Sequence, residues 1–219
     1  MDPRKLTLAT ATVLVVAFLG FFGYRQFIAS AGGAAAGPAA GYADQPTLGR
    51  GDAPVKLILF ENFLCEHCKA FEAEVFPRIR SAYVETGTVE AYYVNLAWGA
   101  ESATTAGLAG ECAYRQDEEA FWAYKSALFE AQSDHDGDWA NIDRLVAIAR
   151  ADVPALDAEA LRTCIDDRRY LSEVQRDLDL GEFVGIRGTP TLVIGTDAFE
   201  GPTYEALAAA IDERLAARE

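Results

Sequence analysis

Two cysteines with two residues between them, Cys65 and Cys68, stand where an apolar run gives way to a helical stripe. Val55-Lys56-Leu57-Ile58-Leu59-Phe60 follows Pro54 and reads as a short buried strand. From Cys65 onward Phe71, Val75, Ile79 and Tyr83 recur at spacings near four, a helix that Pro77 should kink and Glu85-Thr86-Gly87 should close. Val89 to Leu96 alternates and reads as a second strand. Strand, helix and strand in succession make a βαβ unit, whose parallel pair calls for a right-handed crossover. The C-x-x-C then lies at the amino end of the crossover helix.

A cysteine in that place has its sulfur beside free N–H groups and the positive end of the helix dipole, which favour thiolate over thiol. Cys65 is that residue. Cys68, one turn on, faces the same way and can resolve a mixed disulfide formed at Cys65. His67 can add positive charge or a hydrogen bond, and Glu66 adds an opposing negative charge. The rival reading of the motif is the closure of an inert loop. A zinc site of the common kind needs two close pairs, and the remaining cysteines, Cys112 and Cys164, lie far apart. Thiol redox chemistry without metal or other cofactor is the expectation.

Gly188-Thr189-Pro190-Thr191 is a second element of interest, because a proline opening a strand cannot donate to a ladder and often marks a cis bond. A cis bond there would turn the Thr189 backbone outward to pair with an extended substrate strand. On the residues alone an ordinary trans turn is the default. Thr191 to Gly195 reads as a strand, Thr196-Asp197 as a turn, Ala198-Phe199-Glu200 as a returning strand and Tyr204 to Ala217 as an amphipathic helix. Between the two αβ parts, Glu101 to Gln132, Asn141 to Ala151 and Ala158 to Leu180 are helical in pattern. Asp134-His135-Asp136-Gly137-Asp138 imitates the start of a calcium loop but lacks the sixth-position glycine and the closing glutamate. It is read as a solvated loop with Asp138 capping the next helix.

Leu6 to Tyr24 carries no charge, and at about 1.5 Å per residue a helix of this length just spans a hydrocarbon core of about 30 Å. Arg4 and Lys5 precede it and only Arg25 follows closely, which points the amino terminus to the cytoplasm and the rest of the chain outward. The alternative is a cleaved signal peptide, since Ala29-Ser30-Ala31 has a small-residue cleavage pattern. From Ala29 to Gln45 there is no aliphatic residue beyond Ala, the composition of a flexible tether. Thirty-four Asp and Glu against 19 Lys and Arg give a net charge of -15, which repels a phosphate backbone and argues against nucleic acid. The four lysines are Lys5, Lys56, Lys69 and Lys125, and an acidic, lysine-poor surface suits concentrated salt.

Cys65-Glu66-His67-Cys68, with Gly51-Asp52-Ala53-Pro54-Val55, Phe60-Glu61-Asn62-Phe63, Gly188-Thr189-Pro190-Thr191 and Phe199-Glu200-Gly201 leading into Tyr204, resembles the DsbA-like disulfide oxidoreductases of thioredoxin fold. The resemblance runs from Pro46 to the end of the chain. It implies that Cys65 is the exposed nucleophile, Cys68 its buried partner, and Pro190, preceded by Thr189, the cis-proline packed against them. Glu66 departs from the proline usual in strongly oxidising members. Glu61 and Glu72 are within reach of the motif and can be read as proton carriers for Cys68, although exposed carboxylates are the plainer expectation. Pairs similar to Cys112 and Cys164 occur in some relatives, and a structural disulfide is favoured over an electron relay because neither has an activating neighbour.

The expected architecture is an α/β thioredoxin-like fold with an inserted helical subdomain behind an N-terminal transmembrane helix. Its parts are an anchor or signal peptide (1–28), a linker (29–45), the thioredoxin-like domain (46–98 and 181–219) and the insert (99–180). The expected function is that of a membrane-tethered, outward-facing enzyme that introduces or exchanges disulfides in exported cysteine-containing proteins and is reoxidised by a membrane redox partner. A reductase or isomerase, and a tethered peptide-binding domain without redox turnover, are the alternatives.

Overall fold

The computed structural model describes residues 41–132 and 139–217. The apolar stretch 6–24, the tether up to residue 40 and the acidic loop from Asp134 to Asp138 lie outside the described residues. Among the described residues no helix is long and apolar enough to cross a membrane.

Five strands form one sheet in the order β1-β3-β2-β4-β5. They are β1 (Thr47–Leu48), β2 (Val55–Glu61), β3 (Val89–Asn95), β4 (Thr191–Ile194) and β5 (Asp197–Glu200). β2 and β3 run parallel, with Val55 opposite Val89 and Glu61 opposite Asn95, and the other pairings are antiparallel. The central strand β2 is covered on both faces, which explains its nearly unbroken apolar run. β3 alternates in sequence, yet all seven of its residues are buried. Its polar side chain Glu90 is held inside by Lys56, with Nζ 2.5 Å from Oε2, and by the Tyr92 hydroxyl at 2.7 Å. The β4–β5 turn falls on Gly195-Thr196, one residue earlier than expected, because Gly195 supplies the left-handed φ of 65° that a tight hairpin needs.

The crossover was expected to be one kinked helix and is broken instead. α1 (Glu66–Glu74) ends at Val75, α2 (Phe76–Ile79) restarts with Pro77 in its first turn, and Arg80–Val84 forms a π-helical turn. Pro77 has no N–H to offer the Ala73 carbonyl and its ring crowds the residue before it, so the break falls just upstream.

The helical block contains α3 (Glu101–Tyr114), α4 (Glu118–Ala131), α5 (Ile142–Asp152), α6 (Ala158–Asp166) and α7 (Leu171–Phe183), and α8 (Tyr204–Ala216) closes the chain. Asp117, Asp157 and Thr203 cap α4, α6 and α8 through their side chains. The cap of α5 is Asn141, which accepts from the Arg144 N–H at 3.0 Å, and not Asp138. Ala158 to Leu180 is two helices rather than one, separated at Arg168, which adopts φ 48°. Cys112 on α3 and Cys164 on α6 are joined by a disulfide, their Cα atoms 6.0 Å apart.

The expected tether reaches too far in one respect: Gln45 is buried and donates from Nε2 to Asp177 Oδ1 at 2.6 Å, and the compact unit begins at Asp44. α4 lies against α1 and brings an aromatic layer to the active-site end of the sheet. Phe63 is fully buried there, its ring 5.6 Å from Tyr93 and 5.2 Å from Phe129, while Phe76 stacks on Trp122 at 6.0 Å.

Candidate active site

β2 delivers the chain to α1 through a turn fixed by Asn62. The Asn62 carbonyl accepts the Cys65 N–H at 2.9 Å, and its side chain accepts the Leu64 N–H at 2.9 Å and donates to the Trp98 carbonyl at 3.2 Å. Cys65 is consequently the N-cap of α1, with extended backbone. Its sulfur faces N–H groups of the first turn that have no partner within the helix. Cys68, one turn in, is completely buried, whereas Glu66 and His67 between them are exposed.

Both cysteines are free thiols and their environments separate them. The Cys68 S–H, above all, stabilises a thiolate at Cys65; burial opposes it, and the Thr189 side chain and the N–H groups of Cys68 and His67 add to it. The result is a Cys65 thiol lowered to about 5. One contact runs the other way, since Cys65 Sγ lies 3.3 Å from the Thr189 carbonyl oxygen and only a protonated sulfur can donate to it. A thiol is a weak donor, and this single bond is outmatched by the donors that face the sulfur. Cys68 moves oppositely: burial first, then its bond to Cys65 and the charge of Glu61, drive its thiol far above the ordinary range. The Thr189–Pro190 peptide is cis, and Thr191 holds the loop by donating its hydroxyl to the Gly188 carbonyl at 2.7 Å.

Glu61, expected to be exposed, is buried, and the Glu72 side chain keeps only 5% of its surface exposed. β2 runs one residue further than the sequence suggested, so Glu61 closes the strand beneath the cysteines, and α4 covers Glu72 on α1. Between them lies Lys125 of α4, with no solvent exposure, its Nζ 3.1 Å from Glu61 Oε2 and 2.5 Å from Glu72 Oε1. The ammonium approaches both carboxylates outside the angles of a good hydrogen bond, so the contact is one of charge. The rings of Phe76, Tyr93, Trp122 and Phe129 surround it at 4.7 to 5.5 Å. Burial disfavours the lysine's charge, but the two carboxylates outweigh burial and raise its pKa. One cation can neutralise one carboxylate, and burial together with the charge of Glu72 pushes Glu61 up to about 8 in spite of Lys125.

Lys125 was missed from the sequence. It was readable as a cation within the apolar run Phe121, Trp122, Tyr124, Leu128 and Phe129, a place no lysine occupies without a buried partner.

The sequence matches the thioredoxin family over residues 42–213. Disulfide bond formation protein D of Bacillus subtilis is 29% identical over 172 residues, 78% of this chain and 77% of that one. The probable disulfide bond formation protein D of Bacillus anthracis is 27% identical over 174 residues, 80% of each chain. Among solved structures, oxidised BdbD from Bacillus subtilis matches with a TM-score of 0.76 at 28% identity, over 82% of this chain and 95% of that one. Chlamydia trachomatis DsbA matches with a TM-score of 0.71 at 26% identity, over 77% and 90% respectively. The α/β sheet with its helical insert is therefore the thioredoxin-like fold expected from the sequence, and the chain belongs to the thioredoxin family, with BdbD and DsbA among its structural neighbours.

Proposed function

We propose that the chain is a protein thiol–disulfide oxidoreductase of the DsbA type that donates its Cys65–Cys68 disulfide to exported proteins. The opposite displacement of the two thiols carries this reading. A substrate thiolate attacks Cys65 Sγ, the Cys65–Cys68 bond breaks, and the electron pair goes to Cys68 Sγ. Burial makes a bare Cys68 thiolate costly, and Glu61, protonated near neutral pH, supplies the proton. A second substrate thiolate then attacks the substrate sulfur of the mixed disulfide and expels Cys65 as the thiolate that the helix start stabilises. The substrate leaves with two electrons fewer and a new disulfide; the enzyme keeps one thiol and one thiolate, and water returns the proton to Glu61.

Thr189 and Pro190 form the edge along which the substrate strand lies. Cys112 and Cys164 brace α3 against α6 and take no part in exchange. The uncharged run 6–24 supports anchoring in a membrane with the catalytic part outside, where substrates fold and a membrane redox partner reoxidises the pair. The names of the Bacillus relatives support the direction of the reaction. The test is oxidative refolding of a reduced multi-cysteine protein by the stoichiometrically oxidised chain. Native disulfides form with the intact pair and not with Cys65→Ser. A Cys65→Ser chain that retains full function in cells would instead favour a peptide-binding domain without turnover.

A further inference from the structure

The large apolar side chains that the described residues leave exposed are Leu171, Phe183 and Val184, all on α7 or at its exit. Phe183 is 88% exposed. Phe183 and Val184 adjoin one another at the exit of α7, whereas Leu171 lies at its opposite end. The chain that follows Phe183 and Val184 lines a cavity of about 480 Å³. Its walls include Trp98, Leu178, Asp179, Glu182, Ile186 and Arg187.

Two of these walls belong to segments that hold the reactive sulfur. The Trp98 carbonyl is tied to Asn62, whose own carbonyl receives the Cys65 N–H. Arg187 stands two residues before Thr189, whose carbonyl oxygen touches Cys65 Sγ. Strand pairing advances in steps of two residues, about 7 Å, with side chains on one face repeating at the same interval. A polypeptide strand held at Thr189 while its cysteine meets Cys65 therefore runs beside Arg187, and a side chain on the same face, two or four residues from the cysteine, can reach the cavity.

The lining indicates which side chain suits it. Asp179 accepts from Gln175 Nε2 at 2.9 Å, and Glu182 and Arg187 have no ion-pair partner among the described residues. Two carboxylates against one guanidinium leave the recess negative, while Trp98 and Leu178 add a smaller apolar wall. A long aliphatic stem with a cationic head meets both conditions. We propose that this cavity is a substrate subsite for an arginine or lysine side chain lying about two to four residues from the reacting cysteine of an extended polypeptide. The proposal rests on the oxidoreductase reading and adds to it the class of sequence preferred.

The test uses the oxidised full-length chain in detergent and synthetic peptides with one cysteine, differing only in Arg, Ala or Glu placed at the second and fourth residues before it or after it. The second-order rate of exchange is followed by rapid acid quench, with glutathione as a substrate too small to reach the cavity. At low salt the Arg peptide of one of the two series should outpace its Glu counterpart about three- to tenfold. Asp179→Asn with Glu182→Gln should bring that ratio close to one and leave the glutathione rate unchanged. A ratio that survives the double substitution, or that falls equally with the remote pair Asp166→Asn and Asp167→Asn, overturns the subsite. Failure of the wild-type chain to exchange with glutathione overturns the oxidoreductase reading instead.

Discussion

Replacing Lys125 by Met removes the cation that faces two buried carboxylates. Taking one partner from a buried ion pair costs about 3 to 5 kcal/mol, because the remaining charge has neither water nor a counterion. Here the carboxyls can escape by protonation, so the cost depends on pH. Glu61 is raised to about 8 in the intact protein, whereas a carboxyl in the unfolded chain ionises near pH 4.3. Between those values the native state holds a proton that the unfolded state releases, so stability falls as pH rises, by about 1.4 kcal/mol per pH unit for each such group. Without Lys125 the Glu61–Glu72 pair has no counterion and stays buried only by holding one more proton, as a pair, than it does in the parent. The difference between variant and parent should thus be small at pH 5 and grow by about 3 kcal/mol on reaching pH 7. Urea unfolding of the reduced proteins at pH 5, 6, 7 and 8 measures it. Adding Glu61→Gln and Glu72→Gln to Lys125→Met should restore most of the stability and flatten the pH dependence, because a neutral group carries no penalty of buried charge. A loss that is independent of pH, or one that the two glutamines do not relieve, would refute the account of the triad.

Alkylation of the reduced protein at about pH 6 should label Cys65 before Cys68, since only Cys65 has a thiol lowered to about 5; mass mapping that finds Cys68 labelled first would contradict the assignment of the nucleophile. The Cys112–Cys164 bridge should survive conditions that reduce the Cys65–Cys68 pair, and replacing both cysteines by Ala should cost about 4 kcal/mol in the chain-entropy account of a loop of this length. Free thiols at both positions in natively purified protein would remove that bridge from the account.

What the sequence made legible was local. An apolar run next to a C-x-x-C places Cys65 at a strand–helix junction through neighbours a few residues away, and Pro190 marks its own strand start. The break at Val75 was half visible, because Pro77 announces a fault in a helix without saying on which side the chain will yield. Arg168 announced nothing, since arginine has no preference for the left-handed backbone that separates α6 from α7. The cap of α5 was misplaced because both Asp138 and Asn141 are capping residue types, and Asn141, directly ahead of Ile142, is the one in position. The larger omission was tertiary. Glu61 and Glu72 have the composition of surface residues, and their burial depends on α4, whose Lys125 lies 53 positions beyond Glu72 in the helical insert. Periodicity can show that α4 has an apolar face; it cannot show which carboxylates that face will cover.

The thiol displacement also bounds the redox potential. A low pKa at Cys65 favours the reduced form only to the extent that the pH exceeds it, so at pH 7 the gain is about two pKa units, not the full distance from an ordinary thiol. Thioredoxin, with a nucleophile near 7 and a potential of about -270 mV, gains only about 0.3 of a unit at the same pH. The difference, about 1.7 units at roughly 30 mV per unit for a two-electron couple, predicts a Cys65–Cys68 pair about 50 mV more oxidising than thioredoxin and short of the strongest oxidant at about -120 mV. Glu66 should account for part of the shortfall, since it puts a carboxylate beside the sulfur where a proline would put none. Glu66→Pro should therefore raise the potential by a few tens of millivolts, and His67→Leu, which removes a side chain able to bear positive charge, should lower it. Equilibration of the three proteins with glutathione buffers measures both shifts. A Glu66→Pro protein no more oxidising than its parent would mean that the thiolate owes its stability to the backbone N–H groups and Cys68 alone, with the exposed side chains of the motif screened by water.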